Sequence, residues 1–181
     1  MEKLSRRELP MKLTPIISEE KIQNKVSEIA DKISRDYQGK NPVLVTILRG
    51  GFVLAADLIR KLDIDCEIDF LATSSYGSGK SHSGVVRLLK DLDTLTENRH
   101  ILLIEDIIDT GITLRYIIEL LKTRNPASLE IVALLVKDIP GIKGRPTPKY
   151  MGFKVPNRFI VGYGLDFNQH YRGLPFIAIL E

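Results

Sequence analysis

The chain has 181 residues, of which 44% are hydrophobic and 27% charged, and a formal net charge of +3. These values are typical of one globular domain, and they fall short of the clustered basic surface of a nucleic-acid-binding protein. The single cysteine, Cys66, excludes an intrachain disulfide and favours a reducing compartment. No apolar run approaches the ~18 residues of a membrane span, and the N-terminus lacks the apolar core of a secretory signal. We therefore expect a cytoplasmic protein with no nucleic-acid or membrane partner.

The first third of the chain predicts a helix and then the beginning of a βαβ unit. Ser18 can cap a helix over residues 18–37, in which apolar side chains recur at helical spacing. A buried strand over 43–48 is followed by an Arg-Gly-Gly turn at 49–51 and by a helix over 52–62. The turn serves either packing or anion binding, because glycine lets backbone N–H groups approach an anion.

Residues 74–84 form a small, polar and glycine-rich segment between strand-like runs at 66–73 and 85–90. The segment is longer than a hairpin requires. Two interpretations stay open, since such a segment is either a mobile lid over a site or simply the tip of a hairpin.

The most informative stretch is HILLIEDIIDTGITL at residues 100–114. The apolar run at 100–104 predicts a buried strand. Three acids, Glu105, Asp106 and Asp109, follow before a Thr-Gly turn and a second amphipathic helix. Ligands of open α/β sheets bind outside the carboxyl ends of the strands. Amides at a helix N-terminus suit a phosphate, and the acids suit sugar hydroxyls or a hard cation, so the stretch predicts a ligand site.

The rest of the chain predicts a helix over 115–122 and strands over 129–136, 159–163 and 176–180, whereas residues 142–157 look irregular. With right-handed crossovers, the carboxyl ends of parallel strands lie on one edge of a sheet. Four polar clusters should meet there to build one site: 49–51, 105–113, 137–138 and Asp166.

Several segments together resemble one family. The stretch at 101–114 is similar to the phosphoribosyl-pyrophosphate (PRPP) binding motif of type I phosphoribosyltransferases. ILRGG at 47–51 resembles their pyrophosphate loop, and SSYG at 74–77 resembles their mobile active-site loop. LLVKDIPG at 134–141 and RFIVGYGLDFNQHYRGLP at 158–175 resemble the purine-reading and the substrate- and metal-binding segments of the hypoxanthine-guanine branch.

The resemblance begins near Ile16 and implies a single α/β domain over residues 1–181, with a central, mostly parallel, twisted sheet flanked by helices. A small hood would come from about 1–17 and 142–181, and 74–84 would be the mobile loop. The implied reaction is purine salvage: the 5-phosphoribosyl group of PRPP passes to N9 of hypoxanthine or guanine, giving IMP or GMP and pyrophosphate. The implied cofactor is Mg²⁺, and the implied assembly is a homodimer or homotetramer.

The same resemblance implies which residues hold the donor. Glu105 and Asp106 would hold the ribose hydroxyls and, together with Asp166, would ligate Mg²⁺. Arg49 and Arg172 would hold pyrophosphate. The implied PRPP-binding set is Arg49, Gly50, Gly51, Glu105, Asp106, Ile107, Ile108, Asp109, Thr110, Gly111, Ile112, Thr113 and Arg172.

The resemblance also implies how the purine is held. Asp109 would face N7 as the general base, and Lys137 would donate to the 6-oxo group. Phe159 would stack on the base while the Ile160 carbonyl accepts from its N1/N2 edge. A non-proline cis peptide bond is implied at 48–49. The purine-binding set would be Lys137, Phe159, Ile160 and Asp166, and Ser75 and Tyr76 would belong to the mobile loop.

A second class of function fits the same fold: a regulator that senses PRPP or nucleotides while it binds RNA or DNA. A repressor would need an appended DNA-binding domain, for which a fold that starts near residue 16 leaves no space. An RNA-binding protein would need a basic face, whereas the Lys and Arg residues are dispersed along the chain. We therefore expect the enzyme, with hypoxanthine and guanine used well, xanthine weakly and adenine negligibly.

Overall fold

The computed structural model describes residues 12–75 and 86–181. In these ranges the helices are α1 (Glu19–Asp36), α2 (Phe52–Ile59) and α3 (Ile112–Lys122). The strands are β1 (Leu13–Ile17), β2 (Val43–Leu48), β3 (Glu67–Ser75), β4 (Val86–Lys90), β5 (His100–Ile108), β6 (Ser128–Asp138), β7 (Tyr150–Pro156), β8 (Ile160–Val161) and β9 (Ile177–Leu180).

The main sheet has six strands in the order β4-β3-β2-β5-β6-β7. All neighbours pair in parallel except β3 and β4, which form an antiparallel pair at one edge. The central strands β2, β5 and β6 are apolar almost throughout because helices cover both faces of the sheet. The predicted α/β class, with a mostly parallel central sheet flanked by helices, is confirmed.

The helices bury the faces that their sequence periodicity predicts. The Ser18 hydroxyl accepts a hydrogen bond from the Lys21 N–H (3.4 Å) and so caps α1. Ile22, Val26 and Ile29 of α1 pack, with α2, into one core against the sheet. The opposite face of the sheet packs against α3. No helix in the described ranges is long and apolar enough to cross a membrane.

A second, three-stranded antiparallel sheet has the order β1-β9-β8. It joins the first described strand to the last one, with Leu13 opposite Leu180 and Pro15 opposite Ala178. On its other side β9 pairs with β8. Residues from both ends of the chain therefore meet in one small layer.

Two strand predictions in the last third of the chain were wrong. Residues 142–157 contain β7, which pairs with β6 at the edge of the main sheet although Gly, Lys and Pro interrupt its apolar pattern. The strand expected at 159–163 is only the two-residue β8, and it belongs to the small sheet. It ends there because Gly162, Tyr163 and Gly164 all have positive φ angles (100°, 49° and 100°).

The positions of two acids of the central motif also differ from the prediction. Glu105 and Asp106 lie inside β5 and not in the turn after it, because parallel pairing with β6 continues as far as Ile108 opposite Val136. Within the strand, Asp106 is buried and Glu105 is partly buried.

Candidate functional site

A cavity of about 250 Å³ opens at the carboxyl ends of β2, β3 and β5, beside the start of α3. This is the edge at which open α/β sheets bind ligands. The cavity is lined by Ile47, Leu48, Thr73, Glu105, Ile107, Ile108, Asp109, Thr110, Gly111, Ile112, Thr113 and Leu114. Most of the PRPP-binding residues predicted between 105 and 113 thus share one cavity.

Glu105 and Asp106 form an acid pair in which Asp106 is buried and Glu105 is partly buried. Asp106 is 7% exposed, and its Oδ1 accepts a hydrogen bond from the Ile107 N–H (2.8 Å). Burial raises the pKa of Glu105 well above its ordinary value, and the neighbouring Asp106 carboxylate raises it further. Burial also raises the pKa of Asp106, although a hydrogen bond with Glu105 opposes this. Buried carboxylates need partners, so the pair is suited to hydroxyl donors or to a cation.

The turn after β2 packs directly against this acid pair. A Cβ built on Gly50 would lie 1.5 Å from Asp106 Oδ2, so only glycine lets the turn approach so closely. The peptide bond between Leu48 and Arg49 is cis, as the resemblance implied. The predicted pyrophosphate loop and the predicted ribose-binding acids are therefore in direct contact.

The loop before α3 presents backbone amides without side-chain competition. Gly111 is the N-cap of α3, with left-handed φ and ψ of 77° and 8°, and no side chain in the described ranges caps this helix. The first turn contains no acid. Unpaired N–H groups at the positive end of a helix dipole favour an anion. This loop is therefore the part of the cavity best suited to a phosphate.

Lys137 and Asp109 form an ion pair at the ends of neighbouring strands. Ile108 of β5 lies opposite Val136 of β6, so the residues that follow them, Asp109 and Lys137, lie next to each other. The Lys137 ammonium donates to Asp109 Oδ2 at 2.7 Å. The Lys137 side chain is 15% exposed and the Asp109 side chain 48% exposed, so the carboxylate faces the open side of the pair. Two residues predicted to bind different edges of the purine thus lie side by side.

Arg145, for which the sequence predicts no role, lies in the segment predicted to be irregular. Its guanidinium donates to the Lys137 carbonyl at 2.6 Å and approaches the Asp109 carbonyl at 3.5 Å. A Cβ on Gly111 would meet Pro146 Cδ at 2.8 Å. The segment therefore packs over the loop before α3 and ties it to β6. No periodicity or motif in residues 142–149 signals this role, because it depends on the fold of a connection without regular structure.

Two arginines predicted to bind pyrophosphate converge on a second side of the site. The Arg172 guanidinium donates to the Gly164 carbonyl (2.7 Å) and pairs with Asp166 Oδ1 (2.7 Å). Arg49 and Arg172 both donate to the side-chain oxygen of Gln169, at 3.0 and 3.2 Å. Gln169 lies in the segment at 158–175, but the sequence predicts no role for it.

Phe159 forms an exposed aromatic platform. Its side chain is 51% exposed, and its ring meets Phe167 edge-on with the centroids 5.5 Å apart. The Phe159 carbonyl accepts from the Leu180 N–H (3.0 Å). Since hydrogen-bonded and non-hydrogen-bonded pairs alternate in antiparallel sheets, Ile160, opposite Ile179, directs its carbonyl away from β9. The Ile160 carbonyl is therefore not used in pairing with β9.

The predicted metal ligands form an acid pair and a separate carboxylate. Among the described residues no three or more acidic, histidine or cysteine side chains gather as a ready-made metal site. Asp166 pairs with Arg172 and accepts from the Gln169 N–H (2.9 Å). Magnesium commonly takes one or two carboxylates and completes its shell with substrate oxygens and water, so the acid pair fits such an ion.

The mobile-loop predictions fall mostly outside the described ranges. Ser75 is the last residue of β3, whereas Tyr76 and the rest of the segment up to residue 84 lie outside the ranges that the structure describes.

A parallel α/β sheet with an acid pair and an anion-binding helix N-terminus at one edge is typical of proteins that bind sugar phosphates or nucleotides. Residues 16–168 match the model of one such family, described as "Phosphoribosyl transferase domain". The chain belongs to the phosphoribosyl transferase family.

Similar proteins narrow the branch. The chain is 46% identical to a hypoxanthine-guanine phosphoribosyltransferase of Bacillus subtilis, with 92% of each chain covered. It is 45% identical to a hypoxanthine-guanine phosphoribosyltransferase of Dictyostelium discoideum, covering 92% of this chain and 94% of the relative. A crystal structure of a hypoxanthine phosphoribosyltransferase from Staphylococcus aureus superimposes with a TM-score of 0.90 at 44% identity, over 99% of this chain and 97% of that one.

Proposed function

We propose that the protein transfers the 5-phosphoribosyl group from PRPP to N9 of hypoxanthine or guanine, releasing pyrophosphate and forming IMP or GMP. The observation that carries the proposal is the pair formed by Lys137 and Asp109 (2.7 Å) beside the phosphate-binding loop. An ammonium suits the 6-oxo group of an oxopurine, and an adjacent carboxylate suits the proton on its imidazole ring. The relatives named for hypoxanthine and guanine support the same choice of acceptor.

The reaction breaks the bond from C1′ to pyrophosphate and forms a bond from C1′ to N9. Positive charge grows on the ribose, as in the transition state of glycoside hydrolysis, while negative charge grows on the leaving pyrophosphate. The site must therefore hold the purine in line with C1′ and stabilise the departing anion. We assign the second task to Arg49 and Arg172, which converge at Gln169.

Asp109 is the proposed general base. As N9 attacks C1′, the purine must lose one proton from its imidazole ring, and a carboxylate facing N7 can accept it. Lys137 would leave Asp109 to donate to the 6-oxo group. Adenine carries an amino donor at that position, so both it and Lys137 would lose a partner, and we expect adenine to be rejected. Phe159 would stack on the base, and the Ile160 carbonyl would accept from its N1/N2 edge.

Donor binding is assigned to the central motif. The ribose hydroxyls would donate to Glu105 and Asp106, and the 5′-phosphate would take the amides and hydroxyls of the loop at 110–113. A magnesium ion would be held by the acid pair, with Asp166 as a further ligand, and would neutralise charge on the pyrophosphate. The small sheet would serve as the hood over the purine, and the segment at 74–84 as the mobile loop.

The direct test is an Mg²⁺-dependent assay with PRPP and each of hypoxanthine, guanine, xanthine and adenine. We expect rapid formation of IMP and GMP, weak use of xanthine and negligible use of adenine. Absence of turnover with both hypoxanthine and guanine would rule out the proposal. A gel shift with RNA at about 0.15 M salt tests the regulator instead, because phosphate-driven binding is salt-sensitive.

The role of Asp109 has its own test. Asp109→Asn keeps the shape of the side chain but cannot accept the proton, so kcat should fall about 100-fold or more, the usual scale of general-base catalysis. PRPP affinity should change much less. An unchanged kcat would remove Asp109 from the general-base role.

A further inference from the structure

Gln169 occupies a backbone position that is unfavourable for its residue type. Phe167 and His170 exchange backbone hydrogen bonds (3.2 and 2.9 Å), and the two residues between them form a tight turn. Both central residues, Asn168 and Gln169, have positive φ angles of 49° and 68°. Turns of this kind favour glycine at the second central position, because a side chain there is strained. A long polar side chain at this position indicates that the side chain has a task.

The contacts of Gln169 identify that task. Its Oε1 accepts from Arg49 Nη1 at 3.0 Å and from Arg172 Nη2 at 3.2 Å. A guanidinium group has donors only, so these two contacts fix which end of the amide faces the arginines. The two N–H donors of Nε2 form no hydrogen bond within the described ranges. Asp166 Oδ2 accepts from the Gln169 backbone N–H (2.9 Å) and holds the turn in place.

We propose that Gln169 is the positioning residue of the pyrophosphate subsite. Asp166 and the Gly164 carbonyl hold Arg172, and the neutral oxygen of Gln169 brings Arg49 beside it without adding negative charge. The N–H groups of Gln169 add donors for a phosphate oxygen. Without Gln169, the Arg172 guanidinium would repel that of Arg49, and Arg49 would sample many rotamers, which lowers affinity for an anion. The proposal rests on the proposed function, which assigns Arg49 and Arg172 to pyrophosphate.

The test compares two substitutions of Gln169 with one at its neighbour. Gln169→Met keeps the length and the strained backbone but removes the hydrogen bonds. Gln169→Gly removes the side chain and also relieves the strain. Asn168→Gly is the matched control, because it relieves strain in the same turn and leaves the Gln169 contacts in place.

Calorimetry with inorganic pyrophosphate and Mg²⁺, and separately with GMP, measures the effect. Both Gln169 variants should raise the pyrophosphate Kd and the KM for PRPP about tenfold, which is the scale of one or two hydrogen bonds to charged groups. The Kd for GMP should be unchanged. The melting temperature of Gln169→Gly should equal or exceed that of the wild type, since strain is relieved. Asn168→Gly should bind both ligands like the wild type.

The outcomes separate this inference from the proposed function. A pyrophosphate Kd within twofold of the wild-type value in both Gln169 variants would overturn the inference, and so would an equal loss for GMP, which indicates a general structural role. Failure of the wild type to bind pyrophosphate would also overturn it. Gln169-dependent pyrophosphate binding without turnover of either oxopurine would support the inference and reject the proposed function.

Discussion

At the scale of single residues, the site depends on close approaches that leave no room for a side chain. Gly50 is the clearest case, because a Cβ there would lie 1.5 Å from Asp106 Oδ2. Gly50 lies in the turn after β2 and Asp106 lies in β5, so their contact couples the proposed pyrophosphate loop to the acid pair. A substitution at this point should therefore disturb both halves of the proposed PRPP site together.

Gly50→Ala should lower stability by about 1–3 kcal/mol, the usual cost of overpacking, and should weaken PRPP binding. Gly173→Ala is the matched control, since a Cβ there meets no atom within 4 Å. Gly173→Ala should be as stable as the wild type or slightly more stable, because alanine restricts the unfolded chain more than glycine does. Urea unfolding and calorimetry with PRPP measure both effects. Equal behaviour of the two variants would show that the contact with Asp106 has no consequence.

At the scale of elements, one buried carboxylate organises the connection between β4 and β5. Asp69 of β3 is 5% exposed. It accepts backbone N–H hydrogen bonds from Phe70 (2.6 Å), Asp93 (2.8 Å) and Thr94 (2.8 Å). Burial alone would raise the pKa of Asp69, but these hydrogen bonds outweigh it and hold the pKa below its ordinary value. The connection is therefore fixed to the sheet by an ionised acid.

Asp69→Asn should cost about 1–3 kcal/mol at neutral pH, because the amide's N–H groups face backbone donors and leave some of them unpaired. A lowered folded-state pKa contributes stability above the unfolded pKa of about 4, and this contribution is lost as the pH falls through the folded value. The difference in free energy of unfolding between the wild type and Asp69→Asn should thus become smaller below about pH 4. Urea unfolding from pH 7 to pH 3 measures it.

Asp93→Asn is the control for this substitution. The Asp93 side chain is 87% exposed and pairs only with Lys90 (3.0 Å) among the described residues, so its loss should leave stability nearly unchanged. If the free energy of unfolding differed between the wild type and Asp69→Asn by the same amount from pH 7 to pH 3, that result would contradict the role assigned to the ionised carboxylate.

At the scale of the whole molecule, the sequence predicted those helices and strands that are determined by local patterns. The buried strand at 43–48 and the helix capped by Ser18 were predicted nearly to the residue, because continuous apolar runs and capping residues act locally. The edge strand β7 was missed since its outer side is exposed and its pattern is interrupted. Arg145 and Gln169 were missed because their contacts join segments that are distant in sequence, 36 residues apart for Arg145 and Asp109, and 120 for Gln169 and Arg49.

The small sheet holds the residues proposed to bind the purine apart from most of those proposed to bind PRPP, and this separation can be tested. Within the described ranges β8 has no strand partner other than β9, and this pairing holds the segment that carries Phe159 and Ile160. The residues proposed for PRPP, in contrast, lie mainly on the main sheet and its loops. Ala178 of β9 is fully buried and packs with Val161 of β8.

Ala178→Leu should push β8 away from β9, at a cost of about 1–3 kcal/mol in stability. The displaced segment should bind the purine poorly, so the Kd for GMP should rise more than the Kd for pyrophosphate. Ile179→Leu, at the half-buried neighbouring position, conserves volume and should leave both constants nearly unchanged. Calorimetry with the two ligands decides between the alternatives. If both constants rose equally in Ala178→Leu, the small sheet would support the whole site and would not serve the purine alone.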